Sequence, residues 1–429
     1  MECRCSPLRI FLLFTGAGFV LTTLYSLNAE DLAIHTQILS HMVTKIPGTL
    51  DTVSEQAPDE MKMREMLHVG SARSPSADVN KGRLPINEDN VIEDNDLRTS
   101  KDFPPLKASS RTNLLIVTYM RSGSSLTGNM FEMDPSVFYV FEPLHDLKWY
   151  KWGENINIQY LMSRSNIMRE SIYTKVAGKT IRRIFRCDFP KLDIATLTQY
   201  HMQSSPHTKS YHTCLQRYPG VLNILKCMPI LYNRCKAAKV GVIKTIEFPI
   251  TAAKDLATKD RTLKVLHLIR DPRATLLSQV SHGRFSWDAI EEESSKYCKK
   301  VLEDVQVTRQ WYMESQTRIK ILFYEDLCQN PSSEVEELYK FVGLNYTEDT
   351  EIGIKKLTSA ASDRTCVICT QRKSSKKAAE RWRGKIRIEY VRIIDRNCMK
   401  LYRYVGYLPV ENLDVLRNVS HPLRIITHV

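Results

Sequence analysis

Two short stretches of this chain combine residue types that together can hold phosphate. The first is Leu114-Leu-Ile-Val-Thr-Tyr-Met-Arg-Ser-Gly-Ser-Ser-Leu126, in which an apolar run ends at Tyr119, a turn carries Gly123, and a helix is expected from Ser124. The amide groups of such a turn and helix start have no partner inside the helix, so they attract an anion. Arg121 adds a fixed positive charge, and the hydroxyls of Ser122, Ser124 and Ser125 add donors. The spelling is not that of the GxxxxGK[ST] loop, because no earlier Gly stands at that spacing from Gly123 and no Lys follows it. An ordinary strand-to-helix turn with a serine cap has the same pattern. The second stretch is Leu263-Lys-Val-Leu-His-Leu-Ile-Arg-Asp-Pro-Arg-Ala-Thr-Leu-Leu-Ser-Gln279. Arg270 ends an apolar run, and Ser278 follows eight residues later, a spacing that can turn both side chains toward one phosphate. Pro272 fixes the turn, and Asp271 can cap the helix or orient an Arg. A strand-end Arg simply paired with Asp271 fits equally well.

These loops need a frame. From Arg111 onward, short apolar runs alternate with helical patterns. Strands are expected at Leu114–Tyr119, Val137–Phe141, Val240–Ile246, Leu263–Ile269 and Ile319–Tyr324, and helices at Ser124–Met133, Ala274–Val280 and Ser332–Val342. Continuous Val/Ile/Leu runs between helices indicate a parallel sheet buried on both faces. The fold class is therefore α/β, with ligands expected at the carboxyl ends of the strands. There is no internal repeat.

The chain has 429 residues, 43% of them hydrophobic, and only 16 Gly, which excludes a collagen-like or low-complexity protein. One uncharged stretch, Ile10–Leu27, reaches about the minimum length for a spanning helix, so a multi-span membrane protein is excluded as well. Arg4 and Arg9 precede it, and Glu30 and Asp31 follow it. The positive-inside rule then makes residues 1–9 a cytosolic tail, 10–27 a transmembrane signal anchor, and everything after them lumenal. A cleaved signal peptide has similar flanks but a shorter apolar core, so the length favours the anchor. Residues 28–111 lack apolar periodicity and read as a largely disordered stem. The folded part is expected at 112–410, with a C-terminal tail at 411–429.

The charge is +13 overall, +1 over residues 1–29 and −4 over 30–111, leaving +16 on residues 112–429. A lumenal domain this basic expects polyanionic ligands such as nucleotide phosphates or acidic glycans, and no nucleic acid. Of 11 Cys, Cys3 and Cys5 fall on the cytosolic side, where palmitoylation is open to them. The other nine cannot all pair within the chain, which allows a disulfide-linked or non-covalent homodimer. Cys366-Val-Ile-Cys369 lacks the second pair a zinc site needs, and no metal is expected. Asn345-Tyr-Thr and Asn418-Val-Ser are glycosylation acceptors if exposed in the lumen.

Taken together, the two stretches resemble the 5′-phosphosulfate and 3′-phosphate loops of sulfotransferases that use 3′-phosphoadenosine 5′-phosphosulfate (PAPS). Tyr119 to Ser125 match the first loop, and Arg270 with Ser278 match the second. More closely, the chain is similar to the Golgi galactose/N-acetylglucosamine/N-acetylgalactosamine 6-O-sulfotransferases. The similarity lies in Phe141-Glu-Pro-Leu144, Ile269-Arg-Asp-Pro-Arg273, Tyr324-Glu-Asp-Leu327 before Pro331, Arg372, Ser374, Ser375, Trp382-Arg383 and Gly406-Tyr407, over about residues 112–410. The resemblance implies a P-loop-like parallel-sheet sulfotransferase fold and a single-pass type II protein of the Golgi membrane. It implies sulfuryl transfer from PAPS to a sugar hydroxyl of a glycan or proteoglycan, without a metal. It also implies a nucleotide site formed by Tyr119, Met120, Arg121, Ser122, Gly123, Ser124, Ser125, Arg270, Asp271, Arg273, Ser278, Arg372 and Ser374.

Such a transfer needs charge stabilisation, assigned to Arg121, and a group to receive the hydroxyl proton. Glu142, ending the second strand on the same sheet edge, is the leading candidate, and a carboxylate that merely orients Arg121 or the substrate is the alternative. His145 is the second candidate. Here the chain reads His145-Asp146, where the family commonly has an aromatic residue and then His. Lys244-Thr245 can contact sulfate or acceptor, or simply be solvated. Trp149, Tyr150 and Trp152 can stack on sugars or pack, and Lys373, Lys376 and Lys377 can bind a polyanion or face water. Arg383–Arg403 reads as an amphipathic closing helix. A kinase would need a Walker lysine and acidic magnesium ligands, which the sequence lacks. The remaining rival is a membrane-anchored, non-enzymatic glycan-binding protein with a relic nucleotide fold.

Overall fold

The computed structural model describes residues 103–107, 111–148, 156–161, 165–217, 220–364 and 369–425. The expected anchor, most of the stem, Cys3, Cys5, Trp149, Tyr150, Trp152 and Cys366 lie outside the described residues. Among the described residues no helix is long and apolar enough to cross a membrane.

The described residues form seven strands: β1 (Thr112–Val117), β2 (Val137–Phe141), β3 (Ile156–Ile158), β4 (Asn166–Met168), β5 (Val240–Thr245), β6 (Leu263–Ile269) and β7 (Ile319–Phe323). Five make one sheet in the order β2-β5-β1-β6-β7, and every pairing in it is parallel. β3 and β4 form a separate antiparallel ribbon. The helices that position the site are α1 (Ser124–Glu132), α2 (Glu170–Phe185), α3 (Pro206–Arg217), α4 (Leu222–Ala237), α5 (Ile250–Lys259), α6 (Pro272–Ser281), α7 (Ile290–Glu314), α8 (Tyr324–Gln329), α9 (Pro331–Val342), α10 (Glu348–Thr358), α11 (Ser375–Glu380) and α12 (Ile388–Val405).

The alternation along β1 explains why its run is uninterruptedly apolar. Leu115 and Val117 enter one core with α2, α4 and α5. Leu114 and Ile116 enter the opposite one with α1 and α9. Both faces are covered, as a buried parallel sheet requires. From β1 the chain passes to β2 on one side, and from β5 it crosses to β6 on the other. That reversal leaves a crevice at the carboxyl edge near β1.

The expected strands appear, with three shortened at their carboxyl ends. β1 stops at Val117 because Thr118 and Ser122 bond to each other through their hydroxyls and Ser122 closes onto the Tyr119 carbonyl. β5 ends at Thr245 and β7 at Phe323, where α8 begins immediately. Each loss takes residues out of the ladder at the carboxyl edge, into a loop after β1 and β5 and straight into α8 after β7.

Disulfides join Cys187 to Cys235, Cys214 to Cys227 and Cys298 to Cys398; Cys369 is also disulfide-bonded, and Cys328 is free and buried. The Cys298–Cys398 bridge staples α12 to α7. The closing helix at Ile388–Val405 buries Val391, Ile394, Leu401 and Val405.

Hydrogen bonds also tie stretches of the expected tail and stem to the domain. At one end, residues 411–425 are held. The fully buried Arg383 guanidinium donates to the carbonyls of Val415, Leu416, Asn418 and His421, and Leu408 pairs with Leu423. At the other end, residues 103–107 already belong to the domain. Leu106 exchanges hydrogen bonds with Arg186, and the Tyr232 hydroxyl donates to the Pro104 carbonyl.

Candidate active site

The carboxyl ends of β1, β2, β5 and β6 open into a cavity of about 340 Å³. Its first wall is the turn between β1 and α1. Arg121 and Gly123 both take left-handed backbone conformations, with φ of 69° and 91°. The residue before α1 provides no side-chain cap, so the first-turn amides of a helix starting at Ser124 remain for another acceptor. Gly123, Ser124 and Ser125 line the cavity. A Cβ on Gly123 would stand 2.1 Å from the Tyr324 ring, so only glycine lets that ring close on the turn.

The turn's carbonyls are tied backward. Met120 accepts from Gln279 at 2.9 Å, and Arg121 accepts from Arg270 Nη1 at 2.8 Å. The Arg121 side chain donates through Nε to Ser278 Oγ at 3.0 Å. The residues Arg121, Arg270 and Ser278, from two distant stretches, thus converge, and both guanidinium groups line one cavity, with Arg372 beside them. Arg270 lies over the Tyr324 ring at 4.5 Å, and its buried Nε has no hydrogen-bond partner. Burial, and then the charges of Arg270 and Arg372, push the Arg121 pKa below its usual value. An anion bound there would offset both effects by its opposite charge.

Six of the expected nucleotide contacts do not line the cavity; one, Ser278, stands behind Arg121 as its hydrogen-bond partner. Arg273 is completely buried and forks onto Asp271, reaching Asp395 and the Leu408 carbonyl as well. Asp271 caps α6 through the Arg273 amide. Of the two arginines flanking Asp271, the core takes Arg273 and the cavity receives Arg270. Ser122 is buried inside the turn it closes. The Tyr119 hydroxyl points into the protein, between His267 Nε2 and Asp304 Oδ2, each at 2.9 Å. Ser374 caps α11, and it is Ser375 that lines the cavity. Lys373, Lys376 and Lys377 are exposed.

The opposite wall is built at β2 and β5. Glu142 follows β2 with φ of 43°, a strained value for a residue with a side chain, and its amide bonds to the Lys244 carbonyl. Its carboxylate meets the Lys244 ammonium, which also sits 3.9 Å from the Phe141 ring centre. Burial alone would raise the Glu142 pKa, but Lys244 against it and His201 nearby bring it below the usual carboxylate range. Burial lowers the Lys244 pKa despite that partner. Glu142 therefore pairs with Lys244 and not with Arg121, which sets aside the Arg121-orienting alternative. His145 Nδ1 lies 2.8 Å from Asp146 Oδ1, and its ring centre is 4.2 Å from that of His201.

Sequence reasoning missed His201, Lys148 and Thr370, which also line the cavity. Burial pushes the His201 pKa down to about 4, so the ring is neutral at neutral pH. His201 comes from a 3₁₀ turn in the long β2–β5 connection, and no motif surrounds it. Thr370 faces Asn129 on α1, at the end of a segment carrying the disulfide-bonded Cys369. No cluster of metal-ligating side chains is found among the described residues.

A family model for the sulfotransferase domain matches residues 111–406. Carbohydrate sulfotransferase 3 of Homo sapiens is 25% identical over 356 residues, covering 74% of this chain and 71% of that protein. Carbohydrate sulfotransferase 1 of Danio rerio is 25% identical over 350 residues, covering 73% of this chain and 82% of that protein. Among solved structures, the sulfotransferase domain from the Synechococcus PCC 7002 olefin synthase aligns with a TM-score of 0.38 at 15% identity, covering 68% of this chain and 97% of that one.

Proposed function

The chain belongs to the sulfotransferase domain family, and from that premise we propose that it transfers a sulfuryl group from PAPS to a hydroxyl of a glycan. The carrying observation is the convergence of Arg121 and Arg270 on one cavity beside an uncapped helix start. On this reading the amides and hydroxyls of Gly123–Ser125 hold the 5′-phosphate. Arg121 meets the charge that grows on the bridging oxygen, and Arg270 takes the 3′-phosphate. Ser278, held by Arg121, couples the two phosphate sites. Arg372 adds positive charge at the same end.

The acceptor hydroxyl enters from the Glu142 side. Its oxygen forms the new bond to sulfur as the bond from sulfur to the 5′-phosphate oxygen breaks, and its proton passes to Glu142. A carboxylate held ionised by Lys244 is a weak base, which suits proton transfer late in a loose transition state. His145 and the neutral His201, which lie against each other and act electrostatically on Glu142, are the groups to which the proton would pass onward.

The sugar acceptor is supported by the names of the relatives, which are carbohydrate sulfotransferases. A primary 6-hydroxyl of galactose, N-acetylglucosamine or N-acetylgalactosamine follows from the motif resemblance. A type II place in the Golgi membrane is supported by the apolar stretch at residues 10–27 and by the disulfides, which form in oxidising compartments.

The test is to follow thermal stability of the full chain against adenosine 3′,5′-bisphosphate, then to supply labelled PAPS with a panel of desulfated glycans. A stabilising shift and label transfer to one glycan class are expected. No shift at millimolar ligand would overturn the donor assignment, and glycan binding without transfer would favour a non-enzymatic protein.

A further inference from the structure

The cavity is bordered on its β2–β5 side by Lys148 and Ile246. Lys148 is only 7% exposed, and its ammonium stands 3.5 Å from Glu247. Two residues past Ile246, Phe248 lines a second depression, of about 540 Å³, between α2 and α5. The Tyr173 hydroxyl on α2 donates to the Glu247 carbonyl at 3.1 Å, which fixes α2 against the stretch shared by the two depressions. Phe248 and Leu256 give the groove an apolar floor. Lys175, Lys179 and Arg182 line it from α2 and Lys259 from α5, against the single carboxylate of Asp255 among its described lining residues. Residues 175, 179 and 182 are spaced by four and three, so they share one helix face over about 10 Å.

We propose that this groove is an extended acceptor surface, holding the carboxylate-bearing part of an acidic glycan chain whose reacting sugar lies in the cavity. The inference rests on the sulfuryl-transfer reading. Charge complementarity selects a polyanion, and the row of cations selects one whose charges recur along its length. Carboxylates are the source because the first transfer must engage a chain that carries no sulfate yet. The apolar floor suits the hydrophobic faces of sugar rings. Lys148, at the junction, reads the anion next to the reacting sugar.

The test compares the full chain with a variant combining Lys175→Glu, Lys179→Glu and Arg182→Glu. The acceptors are an unsulfated chondroitin polymer, its tetrasaccharide, and a neutral poly-N-acetyllactosamine of matched length. Reversing three charges along the groove, with Lys175 exposed and Lys179 and Arg182 half-buried, should raise KM for the acidic polymer by about tenfold or more. The tetrasaccharide KM, kcat and adenosine 3′,5′-bisphosphate affinity should not change. Raising salt should weaken use of the polymer by the wild type and have less effect on the variant. Lys148→Met should raise KM for the tetrasaccharide too. Equal KM for polymer and tetrasaccharide in both proteins, or a neutral polymer used as well as the acidic one, overturns the proposal. Should the triple variant lose nucleotide binding through misfolding, Lys175→Ser with Lys259→Ser, both at exposed positions, must show the same direction. If no acceptor is turned over at all, the transfer reading has failed. Salt-dependent binding of the acidic polymer to wild type and variant then decides the groove separately.

Discussion

The two ends of the cavity share one sheet edge but treat charge in opposite ways. At the β1–β6 end, burial and the neighbouring charges of Arg270 and Arg372 disfavour the charge of Arg121, and Arg270 Nε is buried without a partner. At the β2–β5 end, Glu142 and Lys244 are buried against each other, and His201 is kept neutral. An end with unbalanced positive charge gains most from an incoming anion. An end with balanced charge binds anions weakly and is suited to accepting a proton. Donor binding and acceptor chemistry should therefore separate when single residues are changed.

The largest separation is expected from Glu142→Gln. Loss of a positioned base should cut turnover by about 10²–10⁴-fold, with adenosine 3′,5′-bisphosphate affinity retained. Because Lys244 would be left without its carboxylate, a thermal midpoint must accompany the assay. If affinity falls in step with turnover, the two ends are not independent.

Arg270→Ala should do the reverse. Losing charge-assisted bonds to a phosphate should weaken adenosine 3′,5′-bisphosphate by about 10- to 100-fold, read by calorimetry. Saturating PAPS should restore most of kcat, and a kcat loss that no donor concentration rescues would break the contrast.

Gly123→Ala tests the turn itself. A methyl group at a left-handed position against the Tyr324 ring should cost about 1–3 kcal/mol of stability. It should lower donor affinity and spare any acceptor binding measured without donor. An unchanged thermal midpoint would mean the turn relaxes freely.

The mildest effect is on pH. Burial lowers the pKa of His201 and of His207 to about 4, and that of His267 to about 3. The unfolded chain takes up protons on these rings below about pH 6.5, and the folded chain does not. Stability should therefore fall as pH drops from about 6.5 toward 4, followed by urea midpoints. His267→Gln should flatten that slope. Carboxyls raised by burial, such as Glu132 at about 7, add stability as pH falls and oppose this slope, so the check is the difference between the two proteins: equal slopes for wild type and His267→Gln would show that this ring is charged in the native state.

The frame was legible because a parallel sheet covered on both faces demands continuous apolar strands. Leu114–Val117 and Val137–Phe141 are such runs, and Leu263–Ile269 is interrupted only by Lys264 and His267, all bounded by polar turns. Arg121 and Arg270 were legible for a related reason, since a residue just past a strand end must emerge at the sheet edge. Arg273 shows where this fails. Four residues past the same strand, it looked equally available, but α12 and the segment after it supply Asp395 and the Leu408 carbonyl, which draw it into the core. His201 failed for the opposite reason, having no local pattern and reaching the cavity only through the fold of the β2–β5 connection.

Local chemistry along the chain thus determined the layer architecture, the anion-holding turn with its glycine, and the cations at the strand ends, because each depends on residues within a few positions of one another. Tertiary structure alone decided which of two neighbouring arginines faces the cavity, that Glu142 pairs with Lys244 and not Arg121, and that Lys175, Lys179, Arg182 and Lys259 line one groove. Those outcomes depend on contacts between residues up to about a hundred positions apart or more, and neither spacing nor composition records which partner a side chain will meet.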